Sequence, residues 1–265
     1  MENQRTIVIS GAASGMGAAT RRRLEGAGNK VLGIDLAGTE VEADLSNAEG
    51  RAKAIEQVED LSGGSIDGLV TWAGVGGLPD RAGSMLVSIN YFGSIALLDG
   101  LRPLLAKGDQ PSAVAIASNS MTCQPGVPLD VVEACLDGDE GNARAAADAA
   151  GSIQSYPASK LAVTRWARRH APTQAWAGAG ITLNVVAPGA VETPLLQATR
   201  DDELLGPLLD AFPVPIGRNG TPDELAAVVE FLLGPDARFF CGSVLVVDGG
   251  TEASLRANDQ PTPMG

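Results

Sequence analysis

The chain has 265 residues, 45% of them hydrophobic and 19% charged, enough apolar matter for one large buried core and too little charge for a disordered tail or a fibre. Nineteen Lys and Arg against 32 Asp and Glu leave a net charge of −13, the wrong sign for gripping a nucleic acid through released counterions, which excludes nucleic acid as a partner. Three cysteines without a CxxC pair and one histidine, His170, are too few for a zinc cage or a disulfide framework, so no metal is expected.

The start, Met-Glu-Asn-Gln-Arg, has no export pattern, and no apolar run approaches the roughly 18 residues of a bilayer span. A cytoplasmic protein without a membrane partner is expected. In chain order, strands are expected at about residues 5–10 and 30–35, a short one near 40–43, then 66–72, 112–117, 181–186 and 243–247. Helices are expected at about 15–27, 47–61, 84–106, 156–177 and 222–233, the last with Thr221 as cap and Pro222 at its first position. This alternation is the signature of βαβ units, so the fold class is α/β: a single-domain, Rossmann-type, doubly wound parallel sheet.

One stretch, about 124–153, breaks the alternation with an acidic helix-like run at 129–136 and an alanine-rich helix near 142–150. It reads as a helical insertion that is a spacer, a cover on a cleft or a device shaping subunit contacts. The tail from about 255 to 265, with Pro261 and Pro263, is expected to be loose.

The run Ile7-Val-Ile-Ser-Gly11-Ala-Ala-Ser14-Gly15-Met16-Gly17 passes from a buried strand through a glycine turn into a helix. Missing β-carbons let the backbone approach a pyrophosphate, and the free amides at the helix start receive its charge. The second strand ends at Asp35, eighteen positions past Gly17, where a carboxylate can accept both adenosine ribose hydroxyls and repel a 2′-phosphate. Leu36-Ala-Gly follows with no arginine, which favours NAD(H) over NADP(H).

Tyr156-Pro-Ala-Ser-Lys160 places a phenol and an ammonium four apart on one helix face. A phenol titrates near about 10, and a cation beside it lowers the cost of the phenolate, fitting it for proton transfer. Ser118 closes an apolar strand at the carboxyl end of the sheet, with Ser120 a near competitor. Asn90 is an amide inside an apolar helix; burial demands partners for it, so it is either structural or part of a water relay to Lys160.

Taken together and in this order, Gly11, Gly15, Gly17, Asn90, Ser118, Tyr156, Lys160, Pro188-Gly189 and Val246-Val-Asp248-Gly-Gly250 resemble the short-chain dehydrogenase/reductase family over nearly the whole chain. The resemblance implies Tyr156 as general acid/base, Ser118 as carbonyl-orienting donor, Lys160 as pKa tuner and ribose holder, and Asn90 as holder of a relay water. It also implies that Asp44 and Leu45 flank the adenine, that Ala73 and Gly74 let the cofactor come close, and that Val191 and Thr193 fix the nicotinamide carboxamide.

Two features depart from the family pattern. Thr71-Trp72-Ala73-Gly74 has indole where most members carry a strand-bracing asparagine, and Tyr156 lies 38 positions after Ser118, an interval lengthened by the insertion. The long interval, with Val41-Glu-Ala-Asp-Leu-Ser46 and Glu192-Thr-Pro-Leu-Leu-Gln-Ala198, is most similar to the bacterial hydroxysteroid dehydrogenase branch of the family.

The segment at about 194–215 carries Leu195, Leu196, Leu204, Leu205, Leu208, Leu209 and Phe212, either as core or as an apolar cover on the substrate. Met121, Pro125, Val127 and Pro128 offer an opposing wall. The expected activity is NAD(H)-dependent interconversion of a secondary alcohol and a ketone, with a hydroxysteroid or other large apolar carbonyl as substrate. Alternatives are reduction of another carbonyl such as a 3-oxoacyl thioester, or nucleotide sensing without useful catalysis. A homodimer or homotetramer is expected, since the family uses two kinds of two-fold contact, one on the tyrosine helix and one on the last helix and strand.

Overall fold

The computed structural model describes residues 4–260. Its strands are β1 (Thr6–Ser10), β2 (Lys30–Asp35), β3 (Val41–Glu42), β4 (Gly68–Thr71), β5 (Ser112–Ile116), β6 (Thr182–Pro188) and β7 (Val244–Val247). All pair in parallel in one sheet, in the order β3-β2-β1-β4-β5-β6-β7. The central strands are apolar on both faces because both are covered: Ile7 and Ile9 feed one core, Val8 the other.

The helices are α1 (Gly15–Gly26), α2 (Ala48–Ser62), α3 (Gly83–Leu105), α4 (Leu129–Leu136), α5 (Glu140–Ala150), α6 (Ser152–His170), α7 (Pro194–Asp201), α8 (Leu205–Asp210), α9 (Pro222–Leu233) and α10 (Thr251–Leu255). Leu24 of α1 and Leu225 and Val229 of α9 close one face of the sheet. Ala54 and Val58 of α2, Leu97 and Leu101 of α3, and Ala162 and Val163 of α6 close the other. The strand order reverses between β1 and β4, which opens a crevice at their carboxyl ends. Register aligns those ends, with Ser10 paired to both Ile34 and Thr71.

Several boundaries differ from expectation. Helix α6 starts at Ser152, four residues ahead of Tyr156, after Gly151 adopts φ +81°. It ends at His170 rather than near 177 because Pro172 cannot donate the next helical hydrogen bond. The His170 ring stacks on Trp166 with centroids 4.1 Å apart. Helix α9 starts as expected, with Thr221 and Glu224 completing a capping box.

Helix α3 has the length and apolarity of a bilayer span, with a mean hydropathy of 1.3, contrary to the expectation that no such run exists. It packs instead as a core helix, carrying buried Ser88, Asn90 and Ser94. Its segment Val87–Gly93 is wound as a π-helix, a local irregularity often found beside functional groups.

The insertion leaves the carboxyl end of β5, an interior strand, as α4 and α5 and returns in time for α6, packing on α3 and α6. Of the seven apolar residues at 195–212, only Leu196 is buried, and Leu204 and Leu208 are well exposed; the core reading of that segment is overturned. Residues 255–260 begin at the end of α10, where Arg256 pairs with Glu252 and Asp259. The rest of the expected tail, 261–265, lies outside the described residues.

Candidate active site

Two adjoining cavities, of about 220 and 80 Å³, occupy the crevice. The larger is floored by the turn from β1 into α1, with Gly11, Ser14, Gly15, Met16 and Gly17 on its wall. Gly11 and Gly15 take φ +71° and +52°, in the left-handed region that favours glycine. A β-carbon on Gly17 would overlap the Gly11 carbonyl oxygen, and one on Gly11 would lie 2.8 Å from the Ala73 amide nitrogen. Helix α1 begins with no acidic residue in its first turn and no side-chain cap from Ser14. Its open amide end is the cradle a diphosphate requires.

Asp35 stands at the end of β2 on the same wall, its Oδ2 accepting from the Ala13 amide at 3.0 Å and its Oδ1 from the Leu36 amide at 2.8 Å. Leu36, Asp44 and Leu45 complete this end. The Asp44 carboxyl is held below its usual value, chiefly by the Ser46 amide. Arg21 is committed to Glu40 and Glu25. With the Asp35 carboxylate as acceptor and Arg21 already paired, this end fits an adenosine ribose with free hydroxyls.

The smaller cavity gathers Ser118, Tyr156 and Lys160 with Pro188, Gly189, Val191 and Thr193. Ser118 Oγ accepts from the Ser120 amide at 3.2 Å and is also hydrogen-bonded to Tyr156. The competitor Ser120 is off the cavity wall, its hydroxyl buried without a protein partner. Lys160 is 4% exposed and donates to the Ile116 carbonyl at 3.2 Å. Thr193 caps α7 by accepting from the Leu196 amide, which brings Leu195 and Leu196 over the cavity. Met121 does not form the expected opposing wall; it is buried, with its sulfur taking the Thr164 hydroxyl.

Burial works against both proton carriers in the cofactor-free chain. It pushes the Tyr156 phenol up, opposed by the hydrogen bond with Ser118, and it brings the Lys160 ammonium down to about 8. Desolvation is the largest influence on both groups.

Of the residues given a catalytic or cofactor-binding role in the sequence, Asn90 is the one that lines neither cavity. Its Oδ1 accepts from the Val75 amide at 2.8 Å, and its Nδ2 donates to the Val75 carbonyl and to Ser159. Both amide protons are thus committed, so the carboxamide braces the cavity floor. Ala73, Gly74 and Val75 form that floor. Trp72, Val75 and Ile89 line the site without having been assigned to it. Trp72 replaces the missing brace by a different route: its indole N–H donates to Thr20 at 2.9 Å, and Thr20 donates to the Met16 carbonyl at 2.8 Å. This ties β4 to the first turn of α1.

Comparison with known proteins points the same way. A family model described as enoyl-(acyl carrier protein) reductase matches residues 142–252. The chain is 44% identical to the 3-alpha-hydroxysteroid dehydrogenase/carbonyl reductase of Comamonas testosteroni, over 94% of this chain and 97% of that one. It is 30% identical to the coniferyl-alcohol dehydrogenase of Pseudomonas sp. strain HR199, over 92% and 95% of the two chains. The crystal structure of the 3-alpha-hydroxysteroid dehydrogenase from Pseudomonas sp. B-0831 complexed with NADH superimposes with a TM-score of 0.92 at 49% identity, covering 96% of this chain and 99% of that one.

Proposed function

From the premise that the chain belongs to the short-chain dehydrogenase/reductase family and is an oxidoreductase acting on alcohols and ketones, we propose that its cofactor is NAD(H) and its substrate a hydroxysteroid or comparably large apolar secondary alcohol. The observation that carries this reading is the convergence of Ser118, Tyr156 and Lys160 on a cavity that opens into the glycine-lined cleft. NAD(H), when bound, supplies the hydride acceptor or donor.

The protein's own groups handle position and protons. Gly11, Ser14, Gly15, Met16 and Gly17 would hold the diphosphate, and Asp35 and Leu36 the adenosine ribose, with Asp44 and Leu45 at the adenine. Ala73, Gly74, Pro188, Gly189, Val191 and Thr193 would border the nicotinamide half. In oxidation Tyr156 takes the substrate hydroxyl proton while Ser118 orients the oxygen, and Lys160 holds ribose hydroxyls and favours the phenolate. Asn90 supports the site by fixing Val75. Leu195 and Leu196 give the substrate side an apolar wall that excludes water.

The reading is tested by incubating the protein with a panel of hydroxysteroids and small alcohols and NAD⁺, following reduced-nicotinamide absorbance. Turnover of apolar secondary alcohols is expected. Tyr156→Phe should abolish turnover and leave NADH binding intact; a variant that still turns over refutes the assignment. The likeness to the 3-ketoacyl-(acyl-carrier-protein) reductase of Brucella melitensis, 25% identical with a TM-score of 0.72, favours 3-oxoacyl thioester reduction as the second reading, and activity on that substrate with none on steroids would select it.

Helices α4 and α5 lie against α3 and α6, so we propose that they block the two-fold contact on the tyrosine helix and leave a homodimer formed through α9 and β7. The edge position of β7 and the exposure of Phe231 and Phe239 support it. Light scattering should give a dimer, and a tetramer built through α6 would overturn this.

A further inference from the structure

The insertion is tied to the rest of the molecule by a polar knot that ends at the cofactor cleft. Arg51, on α2, is buried. Its Nε donates to the Leu45 carbonyl at 2.8 Å and its Nη2 to the Ser88 carbonyl at 2.9 Å. Glu140, at the start of α5, takes Nη1 and Nη2 in a two-pronged pair at 2.6 and 2.8 Å. The guanidinium carbon also lies 5.8 Å from the centroid of the Phe92 ring. From the same insertion helix, Arg144 donates to the Ser88 hydroxyl at 2.6 Å, and Asp148 accepts from the Ser84 amide at 2.7 Å.

One carbonyl that Arg51 grips belongs to a residue on the cleft wall, and the other to the neighbour of one. Leu45 lines its adenine end beside Asp44, and Ser88 precedes Ile89, which lines the same cavity, and Asn90, which fixes its floor. Ser88 also lies within the π-wound segment, where backbone geometry is least self-supporting. A planar fork that satisfies two walls at once fixes their separation in a way a point charge on a flexible stem cannot. Glu140 in turn fixes the fork, because a buried guanidinium needs a carboxylate partner to stay in place.

We propose that Arg51 is a positioning residue for the adenine half of the cofactor, and that the helical insertion holds it in register through Glu140. The insertion is then a strut for cofactor binding, whatever else it does to subunit contacts. This rests on the NAD(H) reading above.

The test is the affinity of the full-length protein for NADH and for ADP-ribose, by fluorescence and by calorimetry, in Arg51→Lys, Glu140→Gln and Arg144→Met. Losing one charge-assisted hydrogen bond at the fork should weaken both ligands about tenfold. The cofactor KM should rise in step, while kcat at saturating cofactor stays within about twofold. A merely structural role would lower thermal stability and the folded fraction but leave the affinity of the folded fraction unchanged. The proposal is overturned if folded Glu140→Gln and Arg51→Lys bind both ligands within about twofold of the unaltered protein, or if kcat falls with no change in affinity. Should Arg51→Lys not fold, the two insertion variants decide by the same criterion. Unaltered protein that binds neither ligand would refute the NAD(H) reading itself.

Discussion

Replacing Lys160 by Met is expected to make the cofactor-free protein more stable at neutral pH while ending its activity. The ammonium is 4% exposed, and burial brings it from the ordinary 10.5 to about 8. At ~1.4 kcal/mol per tenfold, holding that charge in the folded chain costs about 3 kcal/mol at neutral pH. The Met variant avoids this cost but deprives the Ile116 carbonyl of its Lys160 donor, a loss of about 1 kcal/mol. The net gain is therefore about 2 kcal/mol, or roughly 3 to 4 °C in Tm for a chain of this size. The lysine's folded-state value lies below its unfolded one, so its contribution is most unfavourable below about pH 8 and is relieved as pH climbs toward 10.5. Urea unfolding of both proteins without NAD(H), at about pH 7 and about pH 9.5, should show the Met variant's advantage shrinking at the higher value. A variant less stable at neutral pH, or an advantage that does not change with pH, refutes the reasoning.

Three further substitutions probe the nucleotide end. Gly17→Ala puts a methyl group into the Gly11 carbonyl oxygen, so the turn must open and NADH affinity should fall by more than about tenfold in a fluorescence titration; an unchanged Kd contradicts the cradle. Trp72→Phe leaves the Thr20 hydroxyl without its indole donor and should cost about 1 to 3 kcal/mol in urea unfolding, with weaker NADH binding because Thr20 is bonded to Met16. A loss under about 0.5 kcal/mol would show that the indole is only filling space. Asp35→Ala removes the acceptor and the negative charge at the end of β2, so the ratio of activity with NADP⁺ to that with NAD⁺ should rise; a constant ratio would dissociate Asp35 from cofactor choice.

The sheet was legible because parallel strands buried on both faces read as apolar runs, and Ile7-Val-Ile and Val185-Val-Ala can hardly be anything else. The start of α9 was legible for a different reason: the Thr221, Pro222 and Glu224 signal is wholly local. Where the decisive contact is remote, the pattern misled. Residues 171–177 continue an alanine-rich, helix-like texture, yet Pro172 stops α6 and the buried Trp176 packs edge-on to Trp166. Leucines 204 and 208 keep helical spacing but face solvent, since nothing local to 194–215 says whether a body stands opposite. Trp72 was marked as a departure from the family, but its partner Thr20 is 52 positions away. Arg51 carries no local signal, because its partner Glu140 is 89 positions away in the insertion.

The catalytic pair shows the same limit in electrostatic form. Four-residue spacing on a helix is enough to place Tyr156 and Lys160 on one cavity, and the structure does so. Spacing says nothing about water, and in the cofactor-free chain water's exclusion dominates: the phenol goes up and the ammonium goes down. The first shift takes the phenol away from neutrality, while the second brings the ammonium toward it. A site built this way is poised only when a ligand's hydroxyls and charge replace the lost solvation, with Lys160 kept protonated by the hydrogen bonds it donates. The stability expected of the Met variant and the chemistry proposed for the site then have a single cause, the burial of Lys160 on the cavity wall.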